Sequence, residues 1–292
     1  MSKKHLVFIV NPKSGVDRQK EIQAAINNNL DHAHYTHEIL NTEYAKHGTE
    51  LAKTAADKGA FAVVAVGGDG SINDIVKGLA GTNTALGVIP KGSGNGMART
   101  LKIPLDVAES IKVINKGNTT DIDVAFANDK LFVSNAGVAF DALISKKFAK
   151  STRRGFAVYS WLVTKYMWLY KERKFDIIID GKHISERAFI INVANMQQFG
   201  YNFQIAPKAS WTDGLLDVVI IKRFPKILGG LLVVRAMNGT INGSPYVEHY
   251  HAKNIVVSHP DLKLLQTDGD AHACENKIEF RIEPGKQKVI VP

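Results

Sequence analysis

The segment Val63-Val64-Ala65-Val66, running into Gly67-Gly68-Asp69-Gly70-Ser71, constrains the fold more than any other part of the chain. An apolar, β-branched run of this length reads as a buried strand. It stops at three glycines and one carboxylate, and Ser71 reads as the N-cap of the helical pattern that follows. Glycines let a backbone approach a bulky anion without interference from Cβ. The N–H groups of the following helix start would face that anion. Asp69 is the one acid in this setting, where it could hold a metal or orient a reacting hydroxyl. Taken alone, the motif is also compatible with a plain strand-to-helix turn.

Two further loops repeat the arrangement. Ala85–Pro90 reads as a strand, followed by Lys91-Gly92-Ser93-Gly94-Asn95-Gly96 and a helix start at Met97. Leu6–Val10 reads as another strand and opens into Asn11-Pro12-Lys13-Ser14-Gly15. Nucleotide sites of open α/β sheets lie at the carboxyl ends of strands. None of the loops is a Walker A sequence or a dinucleotide fingerprint. Three such loops in one half of the chain favour a phosphate site over ordinary turn chemistry.

These motifs, in order, resemble the diacylglycerol kinase catalytic-domain family of lipid kinases. They are Asn11-Pro12-x-Ser14-Gly15, Gly67-Gly68-Asp69-Gly70-Ser71-x-Asn73-Asp74 and Pro90-x-Gly92-Ser93-Gly94-Asn95. Later segments continue the resemblance: Asn135–Ala142, Ile205-Ala206-Pro207, Asp213-Gly214-Leu215-Leu216-Asp217 and Asp268-Gly269-Asp270. The resemblance implies ATP held by Asn11, Pro12, Ser14, Gly15, Thr42, Gly67, Gly68, Asp69, Gly70, Ser71, Asn73, Gly92, Ser93, Gly94 and Asn95. It implies catalytic Mg²⁺ at Asp69, through water, and a structural Mg²⁺ at Asp213 with the carbonyls of Ser210 and Leu215. Asp270 would be the base that accepts the hydroxyl proton, and Asp141 would lie by the lipid substrate. Two departures stand out. Asp270 occupies a position where the family usually has Glu, and Gly96 follows Asn95 where many bacterial members have Asp. The form Gly92-Ser93-Gly94-Asn95 looks more like the sphingosine kinase branch.

The remaining sequence fits a kinase of this kind. Strands at about 5–11, 35–40, 61–66 and 86–89 alternate with helical patterns at about 18–30, 46–58, 71–80 and 94–116, which predicts a parallel sheet. From about residue 120 strands dominate, at 120–126, 130–136, 174–180, 184–194, 215–222, 253–258 and 277–283. Helical patterns at about 141–172 and 225–237 interrupt them. The predicted fold is α/β plus β. An N-terminal parallel α/β nucleotide-binding domain spans 1–122, and the resemblance implies that 286–292 packs back to complete it. A C-terminal antiparallel β-sandwich spans 123–285 as the lipid-substrate domain.

The single cysteine, Cys274, excludes an internal disulfide framework and fits a reducing cytosol. The chain starts without the apolar core of a signal peptide. Net charge is +9, and the excess concentrates between Lys146 and Lys174, interleaved with Phe148, Phe156, Tyr159, Trp161, Tyr166, Trp168 and Tyr170. That stretch is too short and too charged to span a bilayer, which needs about 20 apolar residues. Trp, Tyr and Lys together suit a headgroup region, although a core helix with solvated lysines has the same composition. No known nucleic-acid module is present. The expectation is therefore a cytoplasmic lipid kinase, peripheral at the inner face of the membrane through 146–174, with no nucleic-acid partner and with homodimerisation left open. The competing classes are an NAD kinase-like small-molecule kinase and a non-catalytic nucleotide-binding protein.

Overall fold

The computed structural model describes residues 3–12, 19–152 and 155–292. Ser14, Gly15, Arg153 and Arg154 lie outside the described residues. The chain divides into two compact units, residues 1–122 with 285–292, and residues 123–284.

The first unit holds β1 (Lys4–Val10), α1 (Gln19–Asn29), β2 (Tyr35–Asn41), α2 (His47–Asp57), β3 (Ala62–Gly67), α3 (Asp69–Leu79), β4 (Ala85–Pro90), α4 (Gly96–Thr100), α5 (Val107–Lys116) and the start of β5 (Thr119–Ala127). Strands β2, β1, β3 and β4 lie side by side in that order, all parallel. Val289, near the chain's end, extends the sheet beside Leu86. All six positions of β3 and of β4 are buried, as a parallel sheet covered on both faces requires. Leu6, Phe8, Ile26, Val64, Ile89 and Ile290 form part of one core. The chain winds from β1 to β2 on one side, then to β3 and β4 on the other. The switch point of this sheet therefore falls at the carboxyl ends of β1 and β3, where ligands of open α/β sheets bind.

The second unit continues β5 and adds β6 (Lys130–Phe132), β7 (Asn135–Ala139), α6 (Phe140–Ala149), α7 (Phe156–Leu169), β8 (Arg173–Ile179), β9 (Lys182–Ala194), β10 (Leu216–Lys222), a 3₁₀ turn (Lys226–Leu228), α8 (Gly229–Met237), β11 (Val247–Ala252), β12 (Asn254–Ser258), β13 (Leu264–Thr267), β14 (Asp270–Ala273) and β15 (Lys277–Ile290), whose last residues belong to the first unit. Its pairings are antiparallel: β9 pairs with β8, β7 and β10, and β13 pairs with β7 and β14. Strand β8 alternates exposed and buried residues from Phe175 onward, as a strand with one solvated face should. Two tight hairpins carry positive φ at both central residues, Asp180-Gly181 and Asp268-Gly269. That is the mirror-image turn that Asp-Gly favours.

The α/β unit followed by an antiparallel β-sandwich is the predicted fold class. Several elements differ from the sequence-based expectation. Helix α3 starts at Asp69, with Gly68 flanking it and no side-chain cap, so Ser71 is a first-turn residue and not the N-cap. The pattern at 141–172 is two helices, α6 and α7. The stretch 130–136 is two strands with a break at Val133-Ser134, whose backbone N–H groups the Asp268 carboxylate accepts in place of a ladder partner. Strands β11, β13 and β14 were not expected; Val247–Ala252 is mostly polar and the other two are four residues each.

Candidate active site

The glycine loops of the first unit meet at their backbones. A Cβ built on Gly92 would lie 2.5 Å from the Gly68 Cα, and one on Gly68 would lie 3.0 Å from the Gly92 Cα. Glycine at these two positions is thus required by loop-on-loop contact. Gly70 is different: no described atom lies within 4 Å of a Cβ there, and the residue is exposed in the first turn of α3. Among the described residues that first turn has no side-chain cap on its N–H groups, the arrangement that favours an anion.

The polar side chains of these loops are largely occupied in shaping them. Asn95 is buried in a left-handed conformation; its Oδ1 accepts from the Gly92 N–H at 2.9 Å and its Nδ2 donates to the Gly92 carbonyl at 2.9 Å. Arg99 Nε donates to the Gly94 carbonyl at 3.1 Å, a brace that the sequence reading missed. Asp69 Oδ1 accepts from the Met97 N–H at 3.2 Å, so its carboxylate lies at the start of α4. Burial raises the Asp69 pKa above the usual carboxylate value, against the opposing effect of the Gly96 and Met97 backbone N–H groups. Asn11 Nδ2 donates to Ser71 Oγ at 3.1 Å, and the Asn11 N–H reaches the Val66 carbonyl, which joins the first and second motifs. Asn73 is buried in α3, Ser93 is exposed, Pro12 is half-buried, and the Gly67 carbonyl accepts from the Lys91 N–H at 2.8 Å.

A cavity of about 260 Å³ adjoins this point. It is lined by Asn11, Thr42 and Ser71, which the sequence singled out, and by Tyr44, Lys46 and Asp74, among others. Tyr44 stacks on His47 with ring centroids 4.3 Å apart, just after Thr42, the residue that the resemblance assigned to the nucleotide.

The second unit places its acids separately. Asp268 accepts three backbone N–H groups, from Ser134 at 2.8 Å, Val133 at 3.0 Å and Asn135 at 3.1 Å. Its hairpin partner Asp270 is exposed at the start of β14. Beneath that hairpin lies a buried polar network. Asp141 Oδ2 accepts from Asn192 Nδ2 at 3.1 Å and Gln266 Nε2 at 3.2 Å, and Gln266 Oε1 accepts from the Gly269 N–H at 2.8 Å. Burial raises the Asp141 pKa to about 6, although both amides favour the charged form. A Cβ on Gly137 would strike Asp141 Oδ2 at 2.2 Å, so glycine there makes room for the acid.

Asp213 is exposed in a turn where Gly214 has φ +70°, and its Oδ1 accepts from the Leu215 N–H at 3.0 Å. The turn is held by buried Asp123, whose Oδ2 accepts from the Gly214 N–H at 2.8 Å and whose own N–H reaches the Trp211 carbonyl. Sequence reading did not single out Asp123. An exposed carboxylate with the carbonyls of Ser210 and Leu215 is an all-oxygen donor set, the kind a hard cation such as Mg²⁺ accepts.

Helix α7 is apolar along most of its length, yet only Leu162 is buried. Trp161, Trp168 and Leu169 are 58%, 59% and 66% exposed. Met167 of α7 packs against Gly229 at the start of α8. From the 3₁₀ turn through α8, Ile227, Leu231, Val234 and Met237 are exposed as well. Among the described residues, no helix is long and apolar enough to cross a membrane.

Comparison with known proteins agrees with this architecture. Residues 5–127 match the diacylglycerol kinase catalytic domain, and residues 134–291 match the YegS C-terminal NAD kinase beta sandwich-like domain. A protein of Cronobacter sakazakii named Probable lipid kinase YegS-like is 32% identical over 82% of this chain and 80% of its own. A Bacillus subtilis diacylglycerol kinase is 27% identical over 90% of this chain and 88% of its own. The crystal structure of a diacylglycerol kinase from Bacillus anthracis covers 100% of this chain and 98% of its own with a TM-score of 0.77 at 21% identity, a likeness of fold. The chain belongs to the diacylglycerol kinase catalytic-domain family and is a lipid kinase-like member of it.

Proposed function

We propose that the protein is an ATP-dependent lipid kinase that moves the γ-phosphoryl group to a hydroxyl of a diacylglycerol- or sphingoid-type lipid at a membrane surface. The observation that carries this reading is the uncapped first turn of α3, with Gly70 open above it, at the switch point of the parallel sheet. The triphosphate would lie against the backbone of the 67–71 and 92–95 loops, and the cavity at Thr42 would take another part of the nucleotide. Phosphoryl transfer asks the protein for positioning and charge stabilisation more than for covalent chemistry.

In the proposed reaction the acceptor O–H gives its proton to the Asp270 carboxylate as its oxygen bonds to the γ-phosphorus. The bond from that phosphorus to the bridging oxygen breaks, and ADP leaves with the electron pair. Asp69 would hold a catalytic Mg²⁺ through water while fixing the start of α4, and Asp213 with the Ser210 and Leu215 carbonyls would hold a structural one. When bound, Mg²⁺ neutralises charge on the phosphoryl oxygens. Asp141 would face a polar group of the lipid. The exposed aromatics of α7 and the apolar face of α8 support docking on a bilayer, with Lys146, Lys147 and Lys165 available to anionic headgroups.

The test is ATP turnover on anionic vesicles carrying, in turn, diacylglycerol, phosphatidylglycerol, a sphingoid base or ceramide, with NAD as a soluble control. We expect phosphate on one lipid and none on NAD. Raising salt, or the pair Lys146→Glu with Lys147→Glu, should weaken vesicle binding and turnover while ATP binding persists, since each surface cation contributes about 1 kcal/mol in such a field. Phosphorylated NAD, or ATP binding without turnover on any acceptor, would overturn the reading.

A further inference from the structure

Asp217 lies in one of the family-like segments, yet nothing in the proposed reaction uses it. It sits on β10, one strand step past the Asp213 turn, and is 1% exposed. The antiparallel register sets it opposite His251 of β11. His249, two residues earlier, shares the face of β11 with His251, because side chains alternate along a strand. His249 Nε2 lies 2.5 Å from Asp217 Oδ1, and His251 Nδ1 lies 3.6 Å from the same oxygen. One ligand atom from each of the three residues falls within 4.8 Å of the others.

The structure assigns this trio as a binding site for a zinc-class divalent cation, separate from any Mg²⁺ of the kinase reaction. The two imidazole nitrogens are borderline donors and, beside one carboxylate oxygen, suit zinc and its neighbours better than magnesium, which prefers an all-oxygen set. A tetrahedral ion about 2.1 Å from each donor holds those donors about 3.4 Å apart. The observed spacings bracket that value, and the exposed His251 ring can turn to close the difference. Two strands in fixed register hold Asp217 and His249 in advance.

Two unsatisfied atoms point the same way. Asp217 Oδ2 is buried with no hydrogen-bond partner among the described residues, and so is Asn242 Oδ1. A buried carboxylate is costly unless it is paired. Among the described residues, the ion-pair partners of Asp217 are these two histidines. Asn242 Nδ2 lies 3.5 Å from His249 Nδ1, the ring nitrogen turned away from Asp217. When a metal takes Nε2, that nitrogen loses its proton and Nδ1 carries the remaining one, which then needs an acceptor. A half-turn of the Asn242 amide supplies Oδ1 for it. Such a turn is a small change, since amide orientation follows the hydrogen-bond network. His251 is exposed, so the fourth position opens to water. Strand β11 pairs only with β10 among the described strands, and the ion would staple this edge strand in place.

The experiment is zinc titration, by calorimetry, of the full chain without a tag and stripped by chelator, with Co²⁺ absorption reporting geometry. We expect one saturable equivalent at this site, a tetrahedral cobalt spectrum and a melting temperature that rises with zinc. Millimolar Mg²⁺ should not displace it. His251→Ala, an exposed change, should leave the metal-free melting temperature unchanged and weaken zinc binding at least 10-fold. His249→Gln should weaken zinc binding by at least as much even if His251→Ala proves silent, with some loss of metal-free stability because Asp217 loses its nearest partner. Absence of saturable zinc binding, or binding unchanged in both variants, would overturn the assignment. The second result would place zinc on other histidines, such as His5, His32 and His37 around β2. None of these readouts depends on kinase activity.

Discussion

The glycine loops of the first unit and the Asp-Gly hairpin of the second are built on opposite rules. In the loops, side chains do the shaping: Asn95 closes on Gly92, Arg99 braces Gly94 and Asp69 meets the start of α4. What remains presented is backbone. In the hairpin the backbone is already satisfied, since Asp268 holds three N–H groups and Gln266 takes the Gly269 N–H. What remains presented there is a side chain, Asp270. The loops are therefore damaged by adding atoms, and the hairpin by removing them.

The hairpin offers the largest expected effects. Asp270→Asn should leave folding and ATP binding nearly intact but lower kcat on the order of 100-fold or more, the usual worth of a general base. Asp268→Ala, two residues away, should act through stability. It strands three backbone donors, for a loss of about 2–4 kcal/mol in urea unfolding. A fully active Asp270→Asn, or an Asp268→Ala of wild-type stability, would break the division of labour between the two acids.

The loops should give the next effects. Gly92→Ala forces a Cβ against Gly68 Cα at 2.5 Å and Asn95 Oδ1 at 2.9 Å, so stability should fall by about 1–3 kcal/mol. A Cβ at Gly70 meets no described atom, so Gly70→Val should change stability by only about 0.5 kcal/mol, while nucleotide binding is lost. Calorimetric ATP titration beside thermal melts distinguishes the two. If Gly70→Val binds ATP as wild type does, the anion does not sit on the first turn of α3.

A graded effect, spread over pH, belongs to Asp141, which is buried and has no ion-pair partner among the described residues. Its pKa stands at about 6 in the folded protein against 3.8 for an ordinary Asp carboxyl, chiefly from burial. The folded state then holds the proton more tightly than the unfolded chain. Stability is highest below about pH 4, falls as pH rises toward about 6 and is flat above it. The shift bounds the loss at about 3 kcal/mol, and relaxation around the charge reduces it. Asp141→Asn should flatten the pH 4–6 slope of urea-unfolding free energy and raise stability at pH 7. A slope that survives in the variant would mean that another group carries it.

The sequence by itself determined the parallel α/β half, the order of its loops and the family. Val63–Val66 and Ala85–Pro90 are apolar at nearly every position because both faces of a parallel sheet are covered, and local composition records that demand directly. Strand exits into Gly, Ser and Asn are equally local. The tertiary structure alone decided which member of each motif has which task. That Asp69 meets α4, that Asp268 and not Asp270 holds the hairpin, and that Gly68 is small for the sake of Gly92 all depend on groups brought together from distant positions. The same holds for β11, whose polar residues gave no strand signal until β10 paired with it, and for the trio of Asp217, His249 and His251. Helix α7 shows the limit most plainly. Its composition fits a buried helix and a surface one alike, and only packing against α6 and α8 left Trp161 and Trp168 facing outward. Burial is a property of the partner as much as of the segment, so a single segment cannot encode it.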